Sequence, residues 1–126
     1  MAILIVEDEW IVSEELKEIF KAIGEDEVYQ ADNGPDALSI LREQLIEVVM
    51  LDIRIKGPMS GIELASSLLE VADPKLVFLT SQTDQRTLSQ MNAYQDALLL
   101  EKPIQEGQLW SILSDLDLPY FPSPDH

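Results

Sequence analysis

Short apolar runs alternate along the chain with segments in which apolar residues recur every three or four positions. The first run, Ala2-Ile3-Leu4-Ile5-Val6, is continuous, rich in β-branched residues and stops abruptly at Glu7-Asp8-Glu9, the pattern of a strand buried on both faces. Val48-Val49-Met50-Leu51 ends in the same way at Asp52, Leu76-Val77-Phe78-Leu79 at Thr80, and Ala97-Leu98-Leu99-Leu100 at Glu101-Lys102. Val28-Tyr29 marks a shorter, weaker fifth strand.

Between the runs the spacing is helical. Val12, Leu16, Ile19, Phe20 and Ile23 form one apolar stripe, closed by Gly24 as a C-terminal cap. Pro35, after Asn33-Gly34, opens a second helix carrying Ala37, Leu38, Leu41 and Leu45. Ser60-Gly61 precedes a third, with Ile62, Leu64, Ala65, Leu68 and Leu69, which Asp73-Pro74 ends. A polar, weakly periodic fourth segment spans about 84–95, and a last helix runs from about Gln105 through Leu109, Ile112, Leu113 and Leu116. Short buried strands alternating with helices predict an α/β fold around a parallel sheet. Residues 1–117 read as that domain. Residues 118–126, with Pro119, Pro122 and Pro124, read as a proline-rich tail or linker stub, neither helix nor central strand. The phosphate-binding patterns GxGxxG and GxxxxGK[ST] are absent.

Composition narrows the function. A chain of 126 residues and 14.2 kDa suits one domain, and 46% hydrophobic with 25% charged residues is a globular composition. The 24 acidic against 8 basic residues, a formal charge of −16, would repel phosphate backbones and anionic lipids, so no direct nucleic acid partner is expected. Without cysteine there is no thiolate chemistry and no Cys-based zinc site, and the sole histidine, His126, is the last residue. No apolar run approaches the roughly 20 residues of a membrane span, and no basic-then-apolar leader opens the chain. Cytoplasmic location without membrane insertion is the expectation.

The apolar runs end on polar residues of distinct chemical types: Glu7 and Asp8, Asp52, Thr80, and Lys102. In open α/β sheets the functional crevice lies outside the carboxyl ends of the strands, where the strand order reverses. If the first and third strands are neighbours there, as in the order 2-1-3-4-5, three carboxylates share one pocket. Two like charges about 4 Å apart repel by roughly 4 kcal/mol at an effective dielectric of 20, so the cluster requires a proton or a cation. Oxygen donors alone point to Mg²⁺, with Mn²⁺ and Ca²⁺ as alternatives. Lys102 and the Thr80 hydroxyl would face the same pocket, a combination suited to a phosphoryl group, which a carboxylate beside a metal can accept as nucleophile.

Over about residues 2–116 the sequence resembles the receiver domain of two-component response regulators. Ile3-Leu4-Ile5-Val6-Glu7-Asp8-Glu9 is similar to that family's first strand and acidic pair, and Ala31-Asp32-Asn33-Gly34-Pro35-Asp36-Ala37-Leu38 to its AxxGxxAL entry to the second helix. Val49-Met50-Leu51-Asp52-Ile53 resembles the phosphoacceptor strand, Met59-Ser60-Gly61-Ile62-Glu63-Leu64 the third-helix start, Phe78-Leu79-Thr80-Ser81 the switch hydroxyl, and Glu101-Lys102-Pro103-Ile104 the lysine-proline pair. The resemblance implies a flavodoxin-like, doubly wound (βα)5 fold with strand order 2-1-3-4-5. It further implies that Asp52 accepts phosphate from a phosphohistidine on a sensor histidine kinase or histidine phosphotransfer protein. Asp8 and Asp52 would ligate Mg²⁺ directly, Glu7 through water, and the backbone carbonyl of Arg54 would complete the protein ligands. Thr80 and Lys102 would hold phosphoryl oxygens, Ser81 would leave the approach open, and the Arg54 and Gln82 side chains would flank the path of water.

Two positions depart from the pattern. The loop between Asp52 and Gly61 is about one residue longer than the commonest form, with Lys56 where proline is usual, and Leu99 stands where many members carry an aromatic switch residue. Tyr94 comes too early to replace it, so the signal is expected to be read through the fourth helix or the loop after Thr80.

The leading expectation is a phosphorylation-dependent switch, not an enzyme with its own substrate, whose output is binding to a downstream protein. An aspartyl phosphatase would use a similar pocket, but such enzymes place the nucleophile after their first strand with another acid two residues on, whereas Asp52 follows the third and precedes Ile53-Arg54. A receiver that is never phosphorylated, acting as a fixed interaction module, is the other alternative. Trp10, just past Asp8, would report metal binding or simply pack at a helix start; Trp110, if exposed, would be a partner or homodimer contact.

Overall fold

The computed structural model describes residues 2–25, 27–55, 61–80 and 97–115. The expected helical segment over 84–95, the tail, and Lys56, Ser81, Gln82 and Tyr94 lie outside them. The elements are β1 (Ile3–Val6), α1 (Trp10–Ala22), β2 (Val28–Ala31), α2 (Gly34–Glu43), β3 (Val48–Asp52), α3 (Gly61–Ala72), β4 (Lys75–Thr80), β5 (Leu98–Glu101) and α4 (Glu106–Asp115). All five strands pair in parallel in one sheet, in the order β2-β1-β3-β4-β5. Among the described residues no helix is long and apolar enough to cross a membrane.

The continuous apolar runs are explained by burial on both faces of the sheet. Leu4, Val6, Val49, Leu51 and Phe78 pack with Ala37 and Leu41 of α2 and Leu64 and Leu68 of α3. The alternate residues Ile3, Ile5, Val48, Met50, Val77 and Leu79 pack with Leu16 and Phe20 of α1 and Leu109 of α4. Successive side chains of a strand point to opposite faces, so a strand between two helical layers needs no polar position. The edge strand β2 is only half-buried over Val28, Tyr29 and Gln30, which is why its apolar signal is weak.

Helix ends follow local chemistry. Gly24, just past α1, has φ of 95°, a left-handed conformation that costs glycine little, and its N–H reaches Lys21 O at 3.1 Å. The Asn33 side chain caps α2 by accepting from Asp36 N at 2.9 Å, with Pro35 in the first turn. At α1, by contrast, Glu9 occupies the N-cap position without a side-chain hydrogen bond to the helix.

The chain reverses its direction of travel across the sheet between β1 and β3, so the crevice forms outside the carboxyl ends of these two strands. Their register pairs Val6 with Leu51, which sets Glu7 and Asp52 side by side one step beyond.

Candidate functional site

Glu7, Asp8 and Asp52 each bring a carboxylate oxygen to one point, all within 4.8 Å of one another. Glu7 and Asp52 are buried, at 2% and 5% exposure, and Asp8 is half-buried. Backbone amides fix two of the carboxylates: Glu9 N–H donates to Glu7 Oε1 at 3.1 Å, and Arg54 N–H donates to Asp52 Oδ1 at 2.9 Å. Beyond Asp52 the chain turns tightly, with Ile53 N–H on Leu79 O at 3.1 Å and Ile55 N–H on Asp52 O at 3.3 Å. Gly61 starts α3 against this turn, donating to Ile53 O at 3.1 Å, and a Cβ there would lie 2.4 Å from the Asp52 carbonyl oxygen.

Lys102 enters from the far side. Its N–H donates to Thr80 O at 2.7 Å, carrying the β4–β5 pairing one residue past β5, and the Lys102–Pro103 peptide bond is cis. Its ammonium lies 2.7 Å from Glu7 Oε2 and 3.2 Å from Asp52 Oδ2. Both contacts are ion pairs, and the second is also a hydrogen bond. Thr80 is buried at the end of β4, in register with Glu101.

The electrostatics are those of a crowded acidic pocket. Burial, with Asp52 nearby, pushes the Glu7 carboxyl up to about 7 despite the opposing pull of Lys102. Burial by itself would lower the Lys102 ammonium, but Glu7 and Asp52 outweigh it and hold Lys102 above the usual lysine range. Among the described residues three carboxylates face one ammonium, an arrangement that favours a further positive charge. All its acidic donors are hard oxygens with no nitrogen or sulfur among them, the donor set of Mg²⁺ or a similar cation.

The fold brings several of the residues expected from the sequence to one place. Glu7, Asp8, Asp52 and Lys102 meet, and Thr80 sits at the neighbouring strand end. Arg54 occupies the turn after Asp52, with its N–H on that carboxylate and its side chain exposed. Leu99 is half-buried against the core on the α2 and α3 side. Trp10 is 66% exposed rather than packed, and Trp110 is half-buried. Three features were not legible beforehand: the Glu7–Lys102 ion pair, the close approach at Gly61, and a link from Gln30 to Ser13, with Gln30 Nε2 on Ser13 Oγ at 2.8 Å. Only Gly61 carried a signal, as a glycine at a helix start following a loop.

Residues 3–114 match the response regulator receiver domain family. The chain belongs to that family. It is 42% identical over 83 residues to the aerobic respiration control protein ArcA of Escherichia coli strain K12, covering 66% of this chain and 34% of ArcA. It is 30% identical over 120 residues to the transcriptional regulatory protein YpdB of the same strain, covering 93% of this chain and 48% of YpdB. The receiver thus spans less than half the length of these two relatives. The fold is that of Vibrio cholerae chemotaxis protein CheY4, with a TM-score of 0.83 at 22% identity over 92% of this chain and 98% of that one. A CheY-like receiver domain protein from Methanospirillum hungatei JF-1 aligns with a TM-score of 0.81 at 25% identity, over 92% and 93% of the two chains. Receivers are signalling domains, and response regulators of two-component systems work with histidine kinases and downstream targets. Because the names of ArcA and YpdB mark them as regulators, the charge argument against a nucleic acid partner applies to this chain's own surface and not to a longer protein.

Proposed function

We propose that this receiver is a phosphorylation-dependent switch that accepts a phosphoryl group on Asp52 from a phosphohistidine of a sensor histidine kinase or histidine phosphotransfer protein. The convergence of Glu7, Asp8 and Asp52 within 4.8 Å, with Lys102 against two of them, carries the reading. Asp52 Oδ2 attacks phosphorus in line, the N–P bond breaks, and its electron pair leaves with the imidazole, which is then free to take a proton. The Arg54 amide holds Oδ1 and so aims the second carboxylate oxygen. Lys102 shifts from Asp52 Oδ2 to an equatorial phosphoryl oxygen, and the Thr80 hydroxyl donates to another.

Asp8, Asp52 and the backbone carbonyl of Arg54 would hold Mg²⁺, with Glu7 acting through water. The cation supplies charge neutralisation for the transferring oxygens and the acidic cluster. Output is binding to a downstream protein through a surface remodelled on phosphorylation. With Leu99 at the switch position of β5, the signal passes through the chain after Thr80. The domain occupies residues 1–117, followed by a tail or linker at 118–126, and works in the cytoplasm. The absence of a second acid two residues after Asp52 favours a switch over a turnover phosphatase.

Intact mass after incubation with a small phosphodonor tests this. Gain of one phosphoryl group that requires both Mg²⁺ and Asp52, and is absent from Asp52→Asn, is the expected result. No gain while Mg²⁺ binds and a range of kinases is offered would leave an unphosphorylated interaction module.

A further inference from the structure

A continuous line of polar contacts runs from the sheet edge to the acidic pocket. Gln30, on β2, donates from Nε2 to Ser13 Oγ at 2.8 Å and to Glu14 Oε1 at 3.1 Å. Ser13 is buried and its N–H donates to Glu9 O at 3.1 Å. Glu9 in turn donates its N–H to Glu7 Oε1, the carboxylate whose other oxygen meets Lys102. A half-open pocket of about 230 Å³ lies alongside, with Glu7, Trp10, Ser13, Gln30, Asp32 and Asp36 among its lining, so Gln30 and Glu7 border a common space.

The first turn of α1 needs such a tie. Its N-cap residue, Glu9, gives it no side-chain cap, and its leading residues Trp10 and Ile11 are 66% and 73% exposed, so burial does not anchor them. Yet Asp8 and the Glu9 amide that holds Glu7 sit immediately before this turn. A glutamine at an otherwise apolar strand position, in register with the fully buried Ile5, is explained if its two donors fasten α1 to the sheet edge.

We propose that Gln30 is a positioning residue for the acidic pair: acting through Ser13 and Glu9, it fixes the start of α1 and thereby the Glu7 and Asp8 carboxylates in their cation-binding arrangement. This rests on the Mg²⁺ site proposed above. Outer partners of ligand groups commonly set metal affinity by orienting the ligands.

The test compares the full chain with Gln30→Leu and Ser13→Ala by two readouts. In metal-free protein, amide hydrogen exchange at Glu9 and Ser13 should accelerate about tenfold in Gln30→Leu, with exchange in β3 unchanged. By calorimetric titration with MgCl₂, Gln30→Leu should bind about fivefold more weakly, a smaller loss than for a group bonded directly to a ligand. Ser13→Ala should weaken binding similarly, and the double variant no further, as for two members of one chain of contacts. Lower melting temperature with unchanged Mg²⁺ affinity and unchanged Glu9 exchange would reduce Gln30 to a structural residue and overturn the proposal. Faster Glu9 exchange in a protein that binds no Mg²⁺ even as wild type would instead overturn the cation reading while leaving the mechanical link standing.

Discussion

Lys102 reaches from the end of β5 across the ends of β4 and β3 to place its ammonium 2.7 Å from Glu7 Oε2 at the end of β1. The two residues are joined over the top of two intervening strand ends, so one ammonium both offsets part of the pocket's negative charge and clips β5 to the first strand. Removing it exposes what it offsets. In metal-free protein, Lys102→Met should lose about 3 kcal/mol of stability at pH 8, the usual cost of leaving a buried charge unpaired. At pH 5.5 the loss should be smaller, because Glu7, whose carboxyl lies at about 7, is then protonated with or without the ammonium and leaves no unpaired charge. Urea unfolding in EDTA at the two pH values checks this. In the same variant the rate of phosphoryl uptake should fall by about 10²-fold, as when one positioned charge donor is removed from a phosphoryl or oxyanion site.

Glu7 gives metal-free protein a pH dependence of definite sign. Its carboxyl lies at about 7 in the folded chain against 4.5 unfolded, so between those values the folded state binds the extra proton. The associated stability is fully present below pH 4.5 and is lost as pH rises through 7, by about 3 kcal/mol in all. Glu7→Gln should abolish this segment of the slope. Urea denaturation midpoints from pH 4.5 to 8, in EDTA, compare the two proteins; parallel curves would contradict the assignment.

The sequence carried the sheet more fully than the pocket. Strands β1, β3 and β4 were legible because burial on both faces leaves a continuous apolar run, and the residue that ends each run marks the crevice: Glu7, Asp52 and Thr80. β2 was read two residues short, since Gln30 interrupts its apolar pattern and its tertiary partner, Ser13, lies 17 positions away. The Glu7–Lys102 ion pair joins positions 95 apart and has no periodicity to betray it; the sequence presented the two as groups for separate ligands, whereas the folded chain sets them against each other. Its place at the helix start suits Trp10 to packing as well as to reporting a metal, but α1 turns Leu16 and Phe20 to the core and leaves Trp10 on the surface.

Gly61 should tolerate no side chain. A Cβ would approach the Asp52 carbonyl oxygen to 2.4 Å and the Ile53 Cα and carbonyl oxygen to 2.6 Å, all backbone atoms that cannot rotate away. Gly61→Ala is expected to destabilise by about 2–3 kcal/mol through overpacking. Because the displaced atoms belong to the turn whose amide at Arg54 holds Asp52, phosphoryl uptake should slow in the folded fraction as well. Thermal unfolding and intact-mass time courses measure the two effects, and Gly107→Ala on α4, where nothing lies within 4 Å of the added carbon, serves as the control.

Asp8 separates holding a cation from holding the fold. It is the half-exposed member of the three carboxylates, and unlike Glu7 and Asp52 it is not paired with Lys102. In the absence of metal it contributes mainly repulsion toward its two neighbours, so Asp8→Asn should leave metal-free stability unchanged or raise it slightly. With Mg²⁺ at 100 times its dissociation constant, wild type should gain about 2.7 kcal/mol. Asp8→Asn should lose most of that gain at the same concentration. If Mg²⁺ binds the carboxylates that Lys102 pairs with, the Mg²⁺-dependent gain should also be larger in Lys102→Met than in wild type. Melting curves of the three proteins with and without MgCl₂, at fixed ionic strength, decide the matter: an equal gain in all three would mean that the stabilising cation binds elsewhere.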